Sequence, residues 1–106
     1  MELARGPGWR TKGPPGREEA EAIAIQALGF LAAEPARLQR FLTLTGLSPQ
    51  DLMASAGTPA MQASILEHLV GDESLLLMFA THCAIAPEHV EPARRALAAG
   101  AEDPRG

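Results

Sequence analysis

Three groups of side chains in this sequence carry elements that could do chemistry. His82, Cys83 and His89 lie within eight residues of one another, and neutral imidazole with thiolate is a ligand set that suits zinc. They supply three ligands at most, at a spacing that matches no zinc motif, and helical periodicity puts Cys83 on an inward stripe with Leu76, Phe79 and Ala80. A small core residue is the better reading of that cysteine. The second group is EHLVGDE, Glu67 to Glu73. A helix running through Gly71 would put His68 and Asp72 on one face, able to hold a metal or pass a proton. Gly71 and Asp72 more naturally close one helix and cap the next, which makes Asp72 and Glu73 helix-start acids. The third group, Ser48, Ser55, Ser64 and Ser74, has no neighbouring base, no nucleophile elbow and no glycine-rich phosphate loop. The sequence therefore argues against an enzyme and calls for no cofactor and no metal.

A fourth possibility is recognition of nucleic acid. FLTLTGLSPQDL, Phe41 to Leu52, has the outline of a helix-turn-helix, with Gly46 closing one helix and Ser48 capping the next. The would-be recognition helix, PQDLMASA, holds no Lys or Arg and opens on Asp51. Residues 18–100 carry ten acids against Arg37, Arg40, Arg94 and Arg95, a balance of −6. A reader embedded in that charge lacks the phosphate neutralisation that supplies most sequence-independent affinity. The cations collect instead in the first 17 residues, where Arg5, Arg10, Lys12 and Arg17 flank Trp9 against the single acid Glu2. Such an arm could touch nucleic acid or an anionic membrane nonspecifically. Nucleic-acid binding is thus the secondary reading.

The residues that stand out more are apolar ones on polar faces. Leu44 follows the Arg37 and Arg40 face, Met53 follows Gln50, and Leu77 shares a face with Glu73, Ser74 and Thr81. Leu44, Met53 and Leu77 form the candidate surface for a protein partner or a second copy, because contiguous exposed apolar area marks interaction sites. The competing reading is that other helices cover them.

The elements that must position these residues are helices throughout, since no segment alternates β-branched residues with period two. Residues 1–16 are rich in Gly and Pro and read as a disordered arm; 17–100 read as one helical domain and 101–106 as a frayed tail. The first helix opens at Arg17 with acids, buries Ala20, Ile23, Ala24, Ala27, Leu28 and Leu31, and stops before Pro35. The second turns Leu38, Phe41, Leu42 and Thr45 inward and ends at Gly46. A short third helix is capped by Ser48 with Asp51, and a fourth by Thr58, with Met61, Ile65, Leu66 and Leu69 facing inward. The fifth, ESLLLMFATHCA, is apolar on almost every side and so reads as the central one. Pro87 opens a sixth, with Val90, Ala93, Leu97 and Ala98 inward and Pro92 tolerable only in its first turn. The expected fold is an all-α compact bundle of five to six short helices with a central apolar helix.

Two corners repeat at an offset of 38 residues: Phe41 matches Phe79, Thr43 matches Thr81, Leu47 matches Ile85, Pro49 matches Pro87 and Leu52 matches Val90. Duplication of a helical hairpin and independent use of the same corner chemistry both account for it. The single cysteine excludes an internal disulfide, and the apolar run Leu75 to Ala80 is too short to cross a bilayer. With no apolar leader at the N-terminus, the expected location is the cytoplasm.

From Arg17 to Ala99 the chain resembles a family of short bacterial proteins catalogued as a domain of unknown function, number 3572. The segments ALGFLAAEPARLQRFLTLTGLSP, GDESLLLMFA and IAPEHV carry the resemblance. It implies a helical domain in a bacterial cytoplasm, and it brings no catalytic positions.

Overall fold

A computed structural model describes residues 16–102. They form six α-helices and no strand: α1 (Arg17–Ala32), α2 (Pro35–Thr45), α3 (Pro49–Ser55), α4 (Pro59–Val70), α5 (Glu73–Cys83) and α6 (Val90–Glu102), with a 3₁₀ turn at Pro87–His89. The expected arm at residues 1–16 lies, but for Gly16, outside the described residues, as do Asp103 to Gly106 of the expected tail. The helix boundaries follow local chemistry. Glu19 accepts from the Gly16 N–H, 3.1 Å, at the start of α1. Ser48 and Asp51 form a reciprocal box, the Asp51 N–H donating to Ser48 Oγ at 3.0 Å and the Ser48 N–H to Asp51 Oδ2 at 3.1 Å. Thr58 Oγ1 accepts from the Met61 N–H, and Asp72 Oδ1 from the Leu75 N–H, each at 3.2 Å. Asp72 therefore begins α5, and Gly71 separates it from α4 rather than continuing the helix.

The sixth helix departs from expectation. It begins at Val90, after the 3₁₀ turn, and continues through Gly100 to Glu102. Proline has no N–H to donate and its ring crowds the carbonyl four residues back. An α-helix starting at Pro87 would have put Pro92 past its first turn. Starting at Val90 puts Pro92 among the first-turn positions whose N–H groups have no intrahelical partner.

The centre of the bundle is also different from the sequence expectation. There is a central apolar helix, but it is α4, which packs against both α1 and α6. Met61, Gln62, Ala63, Ile65, Leu66 and Leu69 of α4 are buried. On α1, Ala20, Ile23, Ala24, Ala27, Phe30 and Leu31 meet them, and Val90, Ala93 and Leu97 close the core from α6. In α5, by contrast, only Leu75, Phe79 and Ala80 are buried. Its remaining apolar residues are surplus to one packing face, so α5 lies at the rim. Thr45 is exposed rather than inward, its hydroxyl donating to the Phe41 carbonyl at 2.8 Å.

The two corners that repeat in sequence share a backbone. Gly46 and Ala84, 38 residues apart, each adopt a left-handed conformation, φ 75° and 55°. In each, the next residue folds back on a carbonyl five positions earlier: the Leu47 N–H donates to Leu42 at 3.2 Å and the Ile85 N–H to Ala80 at 3.0 Å. This is the bond pattern that closes helices at left-handed ends. Half-buried Leu47 and buried Ile85 then pack beneath the turn.

Candidate functional site

Of the residues nominated from sequence, Leu44, Met53 and Leu77 are all exposed, by 63%, 78% and 47%. Two more large apolar side chains join them, Met78 at 48% and Ile25 at 63%. Leu44 and Leu77 line separate grooves, each bounded by residues of both α2 and α5, toward opposite ends of the two helices. At one end, Phe30, Arg37, Leu77, Met78, Thr81 and His82 line a groove of about 490 Å³. At the other, Arg40, Leu44, Glu67, His68, Asp72 and Glu73 surround a second of about 440 Å³. Met53 and Ile25 line neither groove.

Phe30 and Arg37 build the first groove. Phe30 is in the last turn of α1, where carbonyls lack intrahelical donors. The Arg37 guanidinium donates to the Phe30 carbonyl at 3.1 Å and lies 4.2 Å over the Phe30 ring, combining a terminal carbonyl bond with a cation–π contact. Phe79 meets the same ring edge-on at 5.6 Å, and the His82 ring lies tilted to it at 5.8 Å. Leu77 and Met78 stand on the α5 side of this clasp. Sequence reasoning missed Phe30, although it falls seven residues after Ile23 on the inward stripe. It missed Met78 because a helix taken as central was expected to cover it.

In the second groove His68 packs edge-on to the buried Phe41 ring, centroids 5.1 Å apart. Its Nε2 is buried without a hydrogen-bond partner among the described residues. Burial chiefly, and then the charge of Arg40, hold the imidazole below its ordinary value of 6.5, while Asp72 opposes them. The neutral ring is thus the stable form at neutral pH. Asp72 is occupied as the cap of α5, which leaves His68, Asp72 and Glu73 serving the α4–α5 corner.

The remaining chemical candidates do not converge. Cys83 is half-buried against the core, and burial pushes its thiol up, which disfavours the nucleophilic thiolate. His82 is exposed beside Phe30, and His89 sits in the 3₁₀ turn with Nδ1 buried and without a hydrogen-bond partner among the described residues. Among the described residues no three His, Cys, Asp or Glu side chains assemble into a group that could hold a metal. Glu91 falls below the usual carboxylate range because Arg94 donates two 2.8 Å hydrogen bonds to it, a surface pair within α6. Of α3, the outward residues are Pro49, Gln50, Asp51, Met53 and Ala54, with no cation among them.

Fold and surface together define a small all-α domain whose most distinctive feature is an uncovered apolar face. The chain belongs to the family described as protein of unknown function (DUF3572), whose model matches residues 17–100. No curated protein and no solved structure matches it. No helix among the described residues is long and apolar enough to cross a membrane.

Proposed function

We propose that this protein is a non-enzymatic adaptor or regulator of the bacterial cytoplasm, which binds another protein or its own copy through the α2–α5 face. The observation that carries this reading is the pair Leu77 and Met78, about half exposed side by side over a groove floored by a buried phenylalanine. Each is only half exposed, so covering what remains would gain about 0.8–1.5 kcal/mol per side chain, half of the value for burying a fully exposed one. A partner surface recovers that energy on binding. Leu44 is exposed in the second groove, where its neighbours are charged side chains.

Nucleic-acid binding has weaker support. The exposed side of α3 is neutral or acidic, so affinity would have to come from the basic arm, which lies outside the described residues.

In-cell cross-linking followed by mass spectrometry, with wild type and a Leu77→Glu, Met78→Glu double variant of matched helix content, tests the proposal. The expected result is a cross-linked species, either a dimer of this chain or a complex with another protein, that the double variant loses. Identical cross-links in both proteins would overturn it.

A further inference from the structure

The outward side of α5 is one stripe: Glu73, Ser74, Leu77, Met78, Thr81 and His82 are all exposed, two neighbouring rows of i, i+4 positions. Its ends differ in charge. At the N-terminal end Glu73 stands with Glu67 and Asp72, and Arg40 offsets only part of their charge. At the C-terminal end stand Arg37 and His82. Leu77 and Met78 occupy the middle.

Neither Arg37 nor Glu73 has an ion-pair partner among the described residues, where the salt bridges are Arg17 with Glu21 and Arg94 and Arg95 with Glu91. Arg37 gives one N–H to the Phe30 carbonyl, and a guanidinium has donors left over for a carboxylate. Glu73 and Thr81 are each four residues from Leu77, so a helix crossing antiparallel at Leu77 sets its own Glu73 opposite Thr81, beside Arg37. A stripe that is acidic at one end, apolar in the middle and basic at the other is complementary to itself turned end for end. That is the requirement of a two-fold interface, in which one patch must match its own copy.

We propose that this face is a homodimer interface. In it α5 packs antiparallel on the α5 of a second copy, Leu77 and Met78 lie near the two-fold axis, and Arg37 of each protomer faces Glu73 of the other. The inference rests on the reading of this face as an interaction surface and commits that surface to one occupant. A foreign helix would have to bring an apolar centre with an acid at one end and a base at the other, and this chain already presents that arrangement.

Sedimentation of the full 106-residue chain from micromolar to millimolar concentration provides the test. Wild type should show a monomer–dimer equilibrium, and Leu77→Glu should raise the dissociation constant by roughly 30-fold or more, as expected for a central apolar contact. Arg37→Glu and Glu73→Arg should each weaken the dimer by about 5-fold, and the double swap should restore most of the loss, since the pair re-forms with its charges exchanged. Arg37→Glu also removes the clasp on Phe30, so a second readout covers an unfolded variant: in a Cys83→Ala background, Leu77→Cys should oxidise to a covalent dimer while Ile25→Cys should not. A chain that stays monomeric at millimolar concentration overturns the inference, as does a dimer indifferent to Leu77→Glu that gives no Leu77→Cys cross-link. If the chain is monomeric but cells still yield a Leu77- and Met78-dependent complex with another protein, the homodimer fails and the adaptor reading stands. If neither species forms, both fail.

Discussion

Helices α4 and α5 are both strongly apolar, yet they hold opposite places. In α4, six of twelve residues are buried, because α1 covers one flank and α6 the other. In α5, three of eleven are buried, and Leu77 and Met78 face outward. The comparison teaches that apolar composition does not assign a helix to the centre of a bundle. What assigns it is how much of its surface its neighbours cover: α4 packs extensively on α1 and α6, whereas α5 meets α1 and α4 along one edge only. An apolar surplus on any other helix is left in water or given to a partner.

The sharpest way to break this comparison is to truncate one leucine on each helix. Leu66→Ala on α4, fully buried, should cost about 2–5 kcal/mol by lost burial and cavity formation. Leu77→Ala on α5 should cost under about 1 kcal/mol, the range of surface substitutions that break no packed contact. Urea unfolding at micromolar protein, below the concentration where copies would associate, separates the two. Equal losses at both sites would mean that the outer face is covered within the monomer.

Much of this arrangement is legible in the sequence. Serine, threonine and aspartate caps, with Pro35, Pro49 and Pro59 opening helices, are local signals, and they placed helix starts to within a residue. The inward stripes of α1, α4 and α6 were legible for the same reason, since a helix packed on one side writes its face into the period of the chain. The place of α5 was not, because an all-round apolar helix has no face to read and only the other helices decide what covers it. The Arg37 clasp on Phe30 joins the end of one helix to the start of the next around a bend, a geometry that residue spacing does not encode. The 3₁₀ turn at Pro87 was partly visible in the tolerance limit on Pro92, but choosing between a bent helix and a delayed one required the packing of Val90.

A smaller effect concerns how the helices end. Helices α2 and α5 finish in left-handed residues, Gly46 and Ala84, whereas α1, α3 and α4 finish with Ala33, Ala56 and Gly71 in right-handed geometry. A Cβ at Gly46 would touch nothing within 4 Å, so Gly46→Ala should be destabilising through backbone strain alone, by about 1 kcal/mol. Ala84→Gly should have the opposite sign. It relieves the same strain at φ 55° and gives back part of the gain as unfolded-chain entropy, for a net stabilisation of about 0.5 kcal/mol. Thermal melts of the two variants check the signs, and a loss in both would show that Ala84 is held by side-chain packing rather than by its turn.

The subtlest probe lies on the seam between the two kinds of helix, where His68 of α4 meets Phe41 of α2. Burial and Arg40 lower the folded-state pKa of this imidazole below 6.5. Between the lowered value and 6.5 the unfolded chain therefore binds more protons than the folded one, and stability rises with pH across that interval. The contribution is complete above 6.5 and is lost as the pH falls toward the folded-state value. Glu91, the other acid-side group shifted in the fold, is lowered from 4.5, so its own contribution changes only below that pH. Urea midpoints at pH 7.5 and 5.5 should therefore show wild type losing stability on acidification, and His68→Gln, which cannot charge, losing less. If the two lose stability equally, His68 is solvated in the fold, and α2 is held less closely to the core than its edge-on contact with Phe41 implies.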